Sequence, residues 1–590
     1  MSNKSKPSNT MVARTLYQVT ASLCGLALLS TSAALAADEG WPAEFLLSDL
    51  RPVAGGDGTR GTIFVGPFEG QQIGYTLSSA GDVNGDGLSD LILGAPLDRM
   101  GTGQGDIGFA FVIFGRSEPI EPIFDLANLL PGRGDGSRGF VLRGAFAEGE
   151  AGSDVASAGD LNGDGFDDLL IGTRHNLSQS PFGGEVFVLF GRADGFAPLI
   201  DLKDLLTVGG GDGSEGFVLR GRLEPGAYFG SAIAGNCDVN GDGIGDFIVG
   251  APGSEAPDGD SFARGVVFVV FGREESFGAE FWTDRLYPEF GGDGSEGFAI
   301  LGPSFFDALG TDVACAGDVN GDGIDDVAMT AALGLEPADR SGPGKGFIVF
   351  GRRDVGEPVI DTIDLYGING GDGSIGTVIH GQPNTIDAIA DVVSAGDANG
   401  DGVGDLLFDN SLINGGIGEV YLVFGSAGGL PSDIFVESFS PFEGGDGSRG
   451  VLVGTLEDGQ GEGDISALIG ARGAGGDLNG DGISDVLVSA IGDDGPGGAD
   501  AGATYVIFGL TDWPSIAPVD RLLAENGGDG GEGFVVYGID PDDSSGRAMA
   551  VLQDFNGDGR PDLAVSAGGA DRGTRENTGE VYVLFGPPIP

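Results

Sequence analysis

The sequence predicts an all-β fold: a seven-bladed β-propeller with four antiparallel strands per blade, closed by an N-terminal strand that joins the last blade. Three observations support this prediction. A unit of 77 to 80 residues occurs seven times, each unit contains four short apolar runs, and helical periodicity is almost absent. Several runs are apolar at consecutive positions, which is typical of strands buried on both faces, as they are between neighbouring blades.

Composition limits the class of partner. The 590 residues include 116 glycines, 90 Asp and Glu, and only 29 Lys and Arg, for a formal charge of −61. Glycine-rich chains are often disordered, but 40% of these residues are apolar and fall in compact runs, so the glycines are predicted to form turns. The charge argues against binding to nucleic acid or an anionic membrane surface, both of which need a basic patch.

The first 36 residues are predicted to be a signal peptide. A basic start precedes a mostly apolar stretch from Val19 to Leu35, and small residues lead to cleavage near Ala36. A membrane anchor is the alternative, but the stretch is short for a span and polar residues interrupt it. We therefore expect a signal peptide at 1–36 and a secreted propeller at 37–590, extracellular or periplasmic, with no membrane span after cleavage.

Three cysteines are present, and Cys24 lies within the predicted signal. Cys237 and Cys315 lie in neighbouring units at different offsets from the repeated motif. They could pair in an oxidising compartment, but the different offsets favour two unpaired, buried thiols.

Each unit has the same order of elements. A short run of small and apolar residues precedes the nonapeptide Asp-x-Asn-Gly-Asp-Gly-x-x-Asp, and an apolar run follows it. A variable Gly-rich loop leads to a third run that ends in Phe-Gly, and a connection containing Gly-Asp-Gly leads to a fourth. These four runs are the four predicted strands.

The two ends of the chain complement each other. The predicted mature chain begins with a fourth-strand segment, Thr62 to Gly66, and ends after the third strand of the last unit, near Glu580 to Phe585. We therefore expect these two segments to pair and close the ring, which leaves no open sheet edge.

The nonapeptide is the candidate metal site. Oxygens from positions 1, 3, 5 and 9 and the carbonyl of position 7 can surround one point, and the glycines allow the tight turn. Hard oxygen ligands of this kind suit Ca²⁺, so about seven ions are expected. The candidate side-chain ligands are Asp82, Asn84, Asp86, Asp90, Asp160, Asn162, Asp164, Asp168, Asp238, Asn240, Asp242, Asp246, Asp318, Asn320, Asp322, Asp326, Asp397, Asn399, Asp401, Asp405, Asp477, Asn479, Asp481, Asp485, Asp554, Asn556, Asp558 and Asp562.

Other loops start in the same way. An EF-hand needs a Glu at position 12 and flanking helices, whereas position 12 of the first unit is Leu93 in a predicted strand. Asp-Asn-Gly sequences also form simple turns. A turn does not need the distal Asp, which all seven copies retain, so calcium binding is the favoured interpretation.

One unit carries a family resemblance most clearly. It has Phe229-Gly230 before the nonapeptide and Gly250-Ala251-Pro252 after it. This unit resembles the FG-GAP repeat of integrin α propellers and of bacterial secreted proteins, and the resemblance extends from about residue 45 to 590. Gly-Ala-Pro is complete only in this unit and at Gly94, and all seven metal loops are kept, whereas the integrin pattern implies them in only some blades.

The resemblance implies a calcium-binding protein of adhesion or extracellular ligand binding, with a protein or glycan partner. Strand order places the metal loops and the Gly-Asp-Gly segments on one face. The opposite face holds the variable loops, and by resemblance to integrins it is the expected ligand face. These loops are Gly101 to Gly108, Thr173 to Gly184, Pro252 to Gly265, and the segment with Phe305 and Phe306.

Two other functions stay open: a carbohydrate-active propeller enzyme that uses carboxylates, and a structural envelope protein. The enzyme is disfavoured because neither His175 nor His380 lies near a Ser or Cys partner in the sequence. Arg133-Gly134-Asp135 spells the tripeptide that integrins themselves bind. It stands where other units read Gly-Gly-Asp-Gly, so drift within the repeat is the favoured interpretation.

Overall fold

The structure is a computed structural model. It describes residues 40–587 except 98–105, 175–182, 222–225, 256–262, 305, 333–343, 354–355, 357, 382–386, 413–418, 442–443, 455–474 and 574. The predicted signal peptide, His175 and most of the variable loops lie outside the described residues. The propeller occupies Trp41–Pro587.

Seven small sheets form the seven blades of a β-propeller, as predicted. Within a blade the first four strands are antiparallel and follow one another from the axis outwards. Blades 1 to 3 use Leu77–Gly81, Asp90–Ala95, Phe109–Ile113 and Gly139–Arg143; Ala151–Gly159, Asp168–Thr173, Glu185–Leu189 and Gly216–Arg220; and Ile233–Cys237, Asp246–Ala251, Val266–Val270 and Gly297–Leu301.

Blades 4 to 7 repeat the pattern. The described part of blade 6 comprises its second to fourth strands, since residues 455–474 before them lie outside the described ranges. The strands are Leu309–Gly317, Asp326–Ala331, Lys345–Val349 and Gly376–His380; Asp387–Gly396, Asp405–Leu412, Glu419–Val423 and Gly450–Gly454; Val486–Ala490, Ala503–Ile507 and Gly533–Tyr537; and Ser545–Leu552, Asp562–Ala567, Glu580–Leu584 and Gly61–Val65.

A fifth strand of three residues extends every blade, so the prediction of four strands was incomplete. It comes from the connection between the third and fourth strands of the next unit and pairs parallel to the fourth strand. Three residues are too few for alternation to be visible in the sequence. In blade order the fifth strands are Leu199–Asp201, Glu280–Trp282, Val359–Asp361, Asp433–Phe435, Ile516–Pro518, Glu44–Leu46 and Ile123–Asp125.

The only helices of the described residues are short 3₁₀ turns after the fifth strands. None of them has the length and apolar character that a membrane crossing requires. They are Leu47–Leu50, Pro52–Ala54, Leu126–Leu129, Leu202–Leu205, Thr207–Gly209, Thr283–Leu286, Pro288–Phe290, Thr362–Leu365, Gly367–Asn369, Val436–Phe439, Val519–Leu522 and Ala524–Asn526.

The predicted closure is confirmed. Gly61–Val65 pairs antiparallel with Glu580–Leu584 of blade 7. The N-terminal segment does more than predicted, because Glu44–Leu46 also supplies the fifth strand of blade 6. One segment therefore completes two blades and joins the two ends of the chain.

The core lies between the blades. The second, third and fourth strands of a blade are buried along nearly their whole length, and Asp90–Ala95 and Phe109–Ile113 are buried at every position. This burial on both faces explains the consecutive apolar residues, because each sheet packs against a neighbour on either side.

The expectation of two unpaired thiols was wrong. Cys237 and Cys315 form a disulfide between the first strands of blades 3 and 4, with their Cα atoms 5.7 Å apart. Both strands carry the same bulge, between Gly235 and Cys237 in blade 3 and between Cys315 and Gly317 in blade 4, so the bulge does not cancel the difference in offset. The two strands pack against each other closely enough for the cysteines to meet despite that difference.

Candidate metal centres

In the six blades whose first strand is described, the nonapeptide connects the first strand to the second, on one face of the propeller, and in blade 6 it precedes the second strand. The ninth residue is the buried start of the second strand, whereas the fifth is exposed to solvent. In blade 6 this ninth residue, Asp485, forms an isolated bridge with Gly476. The structure thus brings the four predicted ligand side chains of each copy into one short loop that is open to solvent on one side.

The first Asp organises the loop. In blade 1, Asp82 Oδ1 accepts hydrogen bonds from the amides of Gly85 and Asp86, at 2.8 and 3.0 Å, and Oδ2 accepts one from Gly87 at 2.8 Å. The bonds to the fifth and sixth amides recur in all seven loops. The backbone therefore wraps around this carboxylate in the same way in every blade.

The Asn at position 3 faces the same loop interior. Asn84 Oδ1 accepts a hydrogen bond from the amide of Asp86 at 2.9 Å, and the equivalent bond occurs in every loop. In blades 1 to 6 the fifth residue also accepts a bond from the seventh amide, as Asp86 Oδ1 does from Leu88 at 3.0 Å. These bonds use one lone pair of an oxygen that has two, so each oxygen keeps the capacity to bind a cation.

The ninth Asp is held differently. Asp90 Oδ2 accepts a hydrogen bond from the amide of Val83 at 3.1 Å, and Oδ1 accepts one from Gly115 at 2.9 Å. Both bonds recur in all seven blades. Gly115 is the glycine of Phe-Gly, whose role as a donor the sequence did not indicate.

A larger residue would not fit at that glycine. A Cβ atom at Gly115 would lie 2.4 Å from the carbonyl oxygen of Ser89. The repeated Phe-Gly sequence is therefore part of the metal loop's support, because it lets the third strand approach the loop closely enough to donate to the ninth Asp.

The ninth carboxyl groups have raised pKa values. Burial is the main cause, the backbone hydrogen bonds oppose it, and the charges of the first and fifth Asp of the same loop add to it. The pKa is about 8 in blades 1 to 5 and about 7 in blades 6 and 7, for Asp90, Asp168, Asp246, Asp326, Asp405, Asp485 and Asp562. A bound divalent cation would reverse this effect, since it favours the ionised form.

Two further acids support neighbouring loops. Asp167 Oδ2 accepts a hydrogen bond from the amide of Asp82 at 2.7 Å, and Asp325 Oδ2 accepts one from Asp238 at 2.9 Å. Each of them immediately precedes the ninth Asp of its own loop. The Asp-Asp pairs at 167–168 and 325–326 were therefore the only sequence feature that could have indicated these contacts. The loops of adjacent blades are thereby connected.

The donor set fits a hard cation, although the loops are not preassembled around one. Among the described residues, no group of three or more His, Cys, Asp or Glu side chains converges closely enough to count as a formed metal site. The loop instead offers carboxylate, amide and carbonyl oxygens that an ion can draw together, and it contains no nitrogen or sulfur ligand. That chemistry suits Ca²⁺ in preference to softer transition metals.

The Gly-Asp-Gly segments lie on the same face as the metal loops. Asn320 and Asp322 of a metal loop line one cavity of about 360 Å³ together with Gly373 and Ser374. In all seven segments the Asp side chain caps a turn by accepting a hydrogen bond from the backbone amide two residues later. That residue is Ser or Thr in six segments and Gly531 in the segment of Asp529.

Asp135 belongs to this series. Its Oδ1 accepts bonds from the amide and hydroxyl of Ser137, at 3.0 and 2.6 Å, in the same way as Asp57 accepts from Thr59. The acidic side chain of Arg133-Gly134-Asp135 is therefore engaged in the turn that the repeat builds elsewhere.

His380 has structural contacts. Its Nε2 lies 2.9 Å from Asp433 Oδ1, and its ring stacks on Phe435 with centroids 4.4 Å apart. These contacts join the fourth strand of blade 4 to its fifth strand.

The fold and its loops define a seven-bladed propeller with an acidic, oxygen-rich turn in every blade. The family model described as "FG-GAP repeat" matches residues 74–112, 151–189 and 545–584, which are the first three strands of blades 1, 2 and 7. The chain therefore contains FG-GAP repeats at these three places and is similar to integrin alpha chains.

Curated relatives agree with that assignment. Integrin alpha-5 of Xenopus laevis is 34% identical over 198 residues, which are 32% of this chain and 16% of the relative. Integrin alpha-PS5 of Drosophila melanogaster is 30% identical over 201 residues, 33% of this chain and 16% of the relative. The similarity thus spans about a sixth of these relatives' length. Among solved structures, the exotype rhamnogalacturonan lyase YesX aligns with 90% of this chain and 76% of its own, at 13% identity and a TM-score of 0.33.

Proposed function

We propose that this protein is a secreted, calcium-dependent propeller that binds an extracellular protein or glycan, in adhesion or ligand capture. The observation that carries the proposal is the recurrence of one oxygen-rich loop in all seven blades, with the same hydrogen bonds to its first, third and ninth residues. A repeated turn alone would not need a buried carboxyl at the ninth position.

The residues that would hold each ion are the four predicted side chains and the seventh carbonyl. In blade 3 these are Asp238, Asn240, Asp242, Asp246 and the carbonyl of Ile244. Calcium would supply the positive charge that three neighbouring carboxylates lack, and so remove their mutual repulsion. The loop's own part is to hold these oxygens in place through its backbone amides.

Calcium binding predicts a large effect on stability. An ion that binds only the folded state stabilises it by about 2.7 kcal/mol per site at a hundredfold excess over the dissociation constant. Several such sites together exceed the usual stability margin of about 5–15 kcal/mol. The expected result is a sharp fall in Tm on chelation, and a count of about seven calcium ions by native mass spectrometry.

A matched pair of variants tests the site assignment. Asp242→Ala should remove one ion from the count, because it deletes a metal-loop carboxylate. Asp293→Ala is the control: it is an exposed acid of the same unit that caps a Gly-Asp-Gly turn and should leave the count unchanged. Equal melting of the loaded and chelated protein, with no bound calcium, would show that the loops are only turns.

Ligand binding is assigned to the variable-loop face. The support is the similarity to integrin alpha chains and the strand order, which puts the connection between the second and third strands at the opposite end of the blade from the metal loop. Glycan and protein arrays, probed with and without calcium, should identify a partner whose binding requires calcium. Replacing residues 173–184, which lie mostly outside the described residues, with a Gly-Ser loop should change that binding and leave Tm nearly unchanged.

We propose a binding role in preference to a catalytic one. The contacts of His380 with Asp433 and Phe435 support this choice, because they give that histidine a packing role. Detection of glycoside or polysaccharide cleavage by the purified protein would contradict it.

A further inference from the structure

Three side chains from three blades meet near the axis of the propeller, on the variable-loop face. Tyr75 precedes the first strand of blade 1, Arg174 follows the second strand of blade 2, and Arg547 lies near the start of the first strand of blade 7. The guanidinium carbon of Arg547 is 4.3 Å from the centroid of the Tyr75 ring, and that of Arg174 is 5.6 Å from it. Arg174 Nη2 also donates to the Tyr75 hydroxyl at 3.4 Å.

The charge of this grouping sets it apart in so acidic a chain, where only 29 Lys and Arg accompany 90 Asp and Glu. Two guanidinium groups also share the rings of Phe124 and Phe281, but Arg138 there pairs with Glu121, and Arg273 and Arg285 pair with Glu296. Neither Arg174 nor Arg547 forms an ion pair with any carboxylate of the described residues, whereas Arg143, Arg220 and Arg264 near the outer strands all do. The cluster therefore has positive charge that the described chain does not neutralise.

The environment also favours negative charge. Burial by itself would raise the pKa of the Tyr75 phenol, but the charges of Arg174 and Arg547 and their hydrogen bonds outweigh burial, so its pKa lies below the usual value. All three side chains are partly exposed, which leaves them accessible from the face. A guanidinium that stacks on a ring keeps most of its N–H donors free at its edge.

We propose that Tyr75, Arg174 and Arg547 form an anion site on the variable-loop face that binds a carboxylate of the extracellular ligand. Two guanidinium groups and a phenol can donate several charge-assisted hydrogen bonds to one carboxylate, and guanidinium geometry matches a carboxylate in a two-point contact. The ring holds Arg547 in place by cation–π contact before the ligand arrives. The site deepens the proposed ligand-binding function and depends on it for its biological role.

The test uses the full secreted protein loaded with calcium. Isothermal titration calorimetry should show saturable binding of glucuronate. Glucose is the uncharged control for the sugar ring. Acetate is titrated as well, to distinguish recognition of a free carboxylate from recognition of a carboxylate on a sugar ring. Loss of a hydrogen-bonding charged partner weakens binding about tenfold or more, so Arg547→Gln and Arg174→Gln should each show at least that reduction. Tyr75→Phe, which keeps the ring and removes only the hydroxyl, should give a smaller reduction.

Arg192→Gln is the matched control. Arg192 also stacks on a ring, Phe196, at 4.6 Å, but it lies at the other face and has Asp194 and Glu215 nearby. Its substitution should leave carboxylate binding unchanged. The calcium count and Tm of each variant establish that it is folded, and they test the calcium proposal separately from this one.

Three results would overturn the site: no saturable carboxylate binding by the wild-type protein, equal binding of glucose and glucuronate, or unchanged binding in both folded arginine variants. Binding of glucuronate but not acetate would still support it and would identify a carboxylate presented by a sugar ring. Because the titration needs no natural partner, its failure is distinguishable from a failure to find one.

Discussion

Six of the seven junctions between neighbouring blades share one pair of backbone hydrogen bonds, and the junction between blades 6 and 7 is built in another way. In the six, the carbonyl oxygens of the first two metal-loop residues accept bonds of 2.8 to 3.3 Å from the following blade. The donors are the amides of the eighth loop residue and of the residue after Phe-Gly. In blade 7 these positions are Pro561 and Pro587, which have no amide hydrogen.

The N-terminal segment supplies the missing donor. Trp41 Nε1 donates to the carbonyl oxygen of Leu478, the second residue of the blade 6 loop, at 3.0 Å. The indole also stacks on Phe534 with ring centroids 4.4 Å apart. Trp513 makes the same bond to Ala398 at the junction of blades 5 and 6, but there the amide of Leu510 donates as well. The junction between blades 6 and 7, called the closing junction below, thus depends on a side-chain donor, whereas the other six junctions have backbone donors.

A second contact holds the same segment. Arg51 pairs with Asp540 of the loop after blade 6 and with Glu580 of blade 7, both at 3.3 Å. Tyr582 donates its hydroxyl hydrogen to Glu580 at 2.5 Å. Where the two chain ends meet, side chains therefore make the stabilising contacts that backbone hydrogen bonds make at the other junctions.

The largest expected effect is that of Trp41→Ala. Removing the indole deletes a buried aromatic group, which costs about 3–5 kcal/mol of unfolding free energy, and leaves the Leu478 carbonyl without its donor. Phe277→Ala is the control, since Phe277 stacks in the same way on Phe217, at 4.3 Å, in a junction that keeps both backbone bonds. Denaturant unfolding in calcium should show the greater loss for Trp41→Ala. Equal losses would mean that the closing junction is no more dependent on its side chain than the others.

Arg51→Gln should cost less, about 1–3 kcal/mol. Glu580 is only 5% exposed and would lose its charged partner. Burial and the charges of Asp540 and Glu580 raise the pKa of Asp543 to about 7, and Arg51 opposes that rise. Without Arg51 these carboxylates repel one another where they are ionised, so the loss should be greater at pH 8 than at pH 5, where Asp543 is protonated.

The matched control for that variant is Arg138→Gln. Arg138 pairs with Glu121, and both side chains are largely exposed, so the loss should be within about 1 kcal/mol and nearly independent of pH. A pH-independent loss for Arg51→Gln would show that its packing matters and its charge does not.

Trp41→Phe isolates the hydrogen bond. The smaller ring keeps the stack on Phe534 but cannot donate, and an unsatisfied buried carbonyl costs about 1–2 kcal/mol. Trp513→Phe makes the same change where Ala398 retains the amide of Leu510 as a donor, so it should cost less. Thermal unfolding of both variants provides the comparison, and a larger loss for Trp513→Phe would contradict it.

The smallest effect is expected from restoring a backbone donor. Pro587→Ala returns an amide hydrogen to the position that donates in the other six junctions. In the Trp41→Phe background it should recover about 0.5–1 kcal/mol, and in the wild-type protein it should change little because Leu478 already has a donor. A double-mutant cycle measures the difference, and additive effects would mean that the two donors do not serve the same carbonyl.

Much of this architecture was predictable, because it follows from local patterns that recur. Consecutive apolar residues indicated strands buried on both faces, and the steps between Asp82, Asp160 and Asp238 indicated one blade per unit. The pairing of Gly61–Val65 with Glu580–Leu584 followed from the two incomplete ends. The candidate ligands could also be identified from the sequence, because those of each loop lie within nine residues of one another.

What the sequence did not show depends on contacts between distant segments. Leu199–Asp201 and the other fifth strands are too short for a pattern, and only the neighbouring blade makes them strands. The glycine of Phe-Gly donates to an Asp 25 residues earlier in blade 1, between Gly115 and Asp90. The offsets of Cys237 and Cys315 indicated separation, but the packing of the first strands of blades 3 and 4 brings them together.

The sequence by itself therefore determined the number of blades, their order, the closure of the ring and the composition of each metal loop, because period, burial pattern and turn chemistry are local properties of the chain. Only the tertiary structure decided which groups meet across blades: the donor that Trp41 supplies to Leu478, and the grouping of Tyr75, Arg174 and Arg547. The physical reason is that these contacts join residues brought together by closing the ring, and no periodicity along the chain records which side chains face each other around its axis.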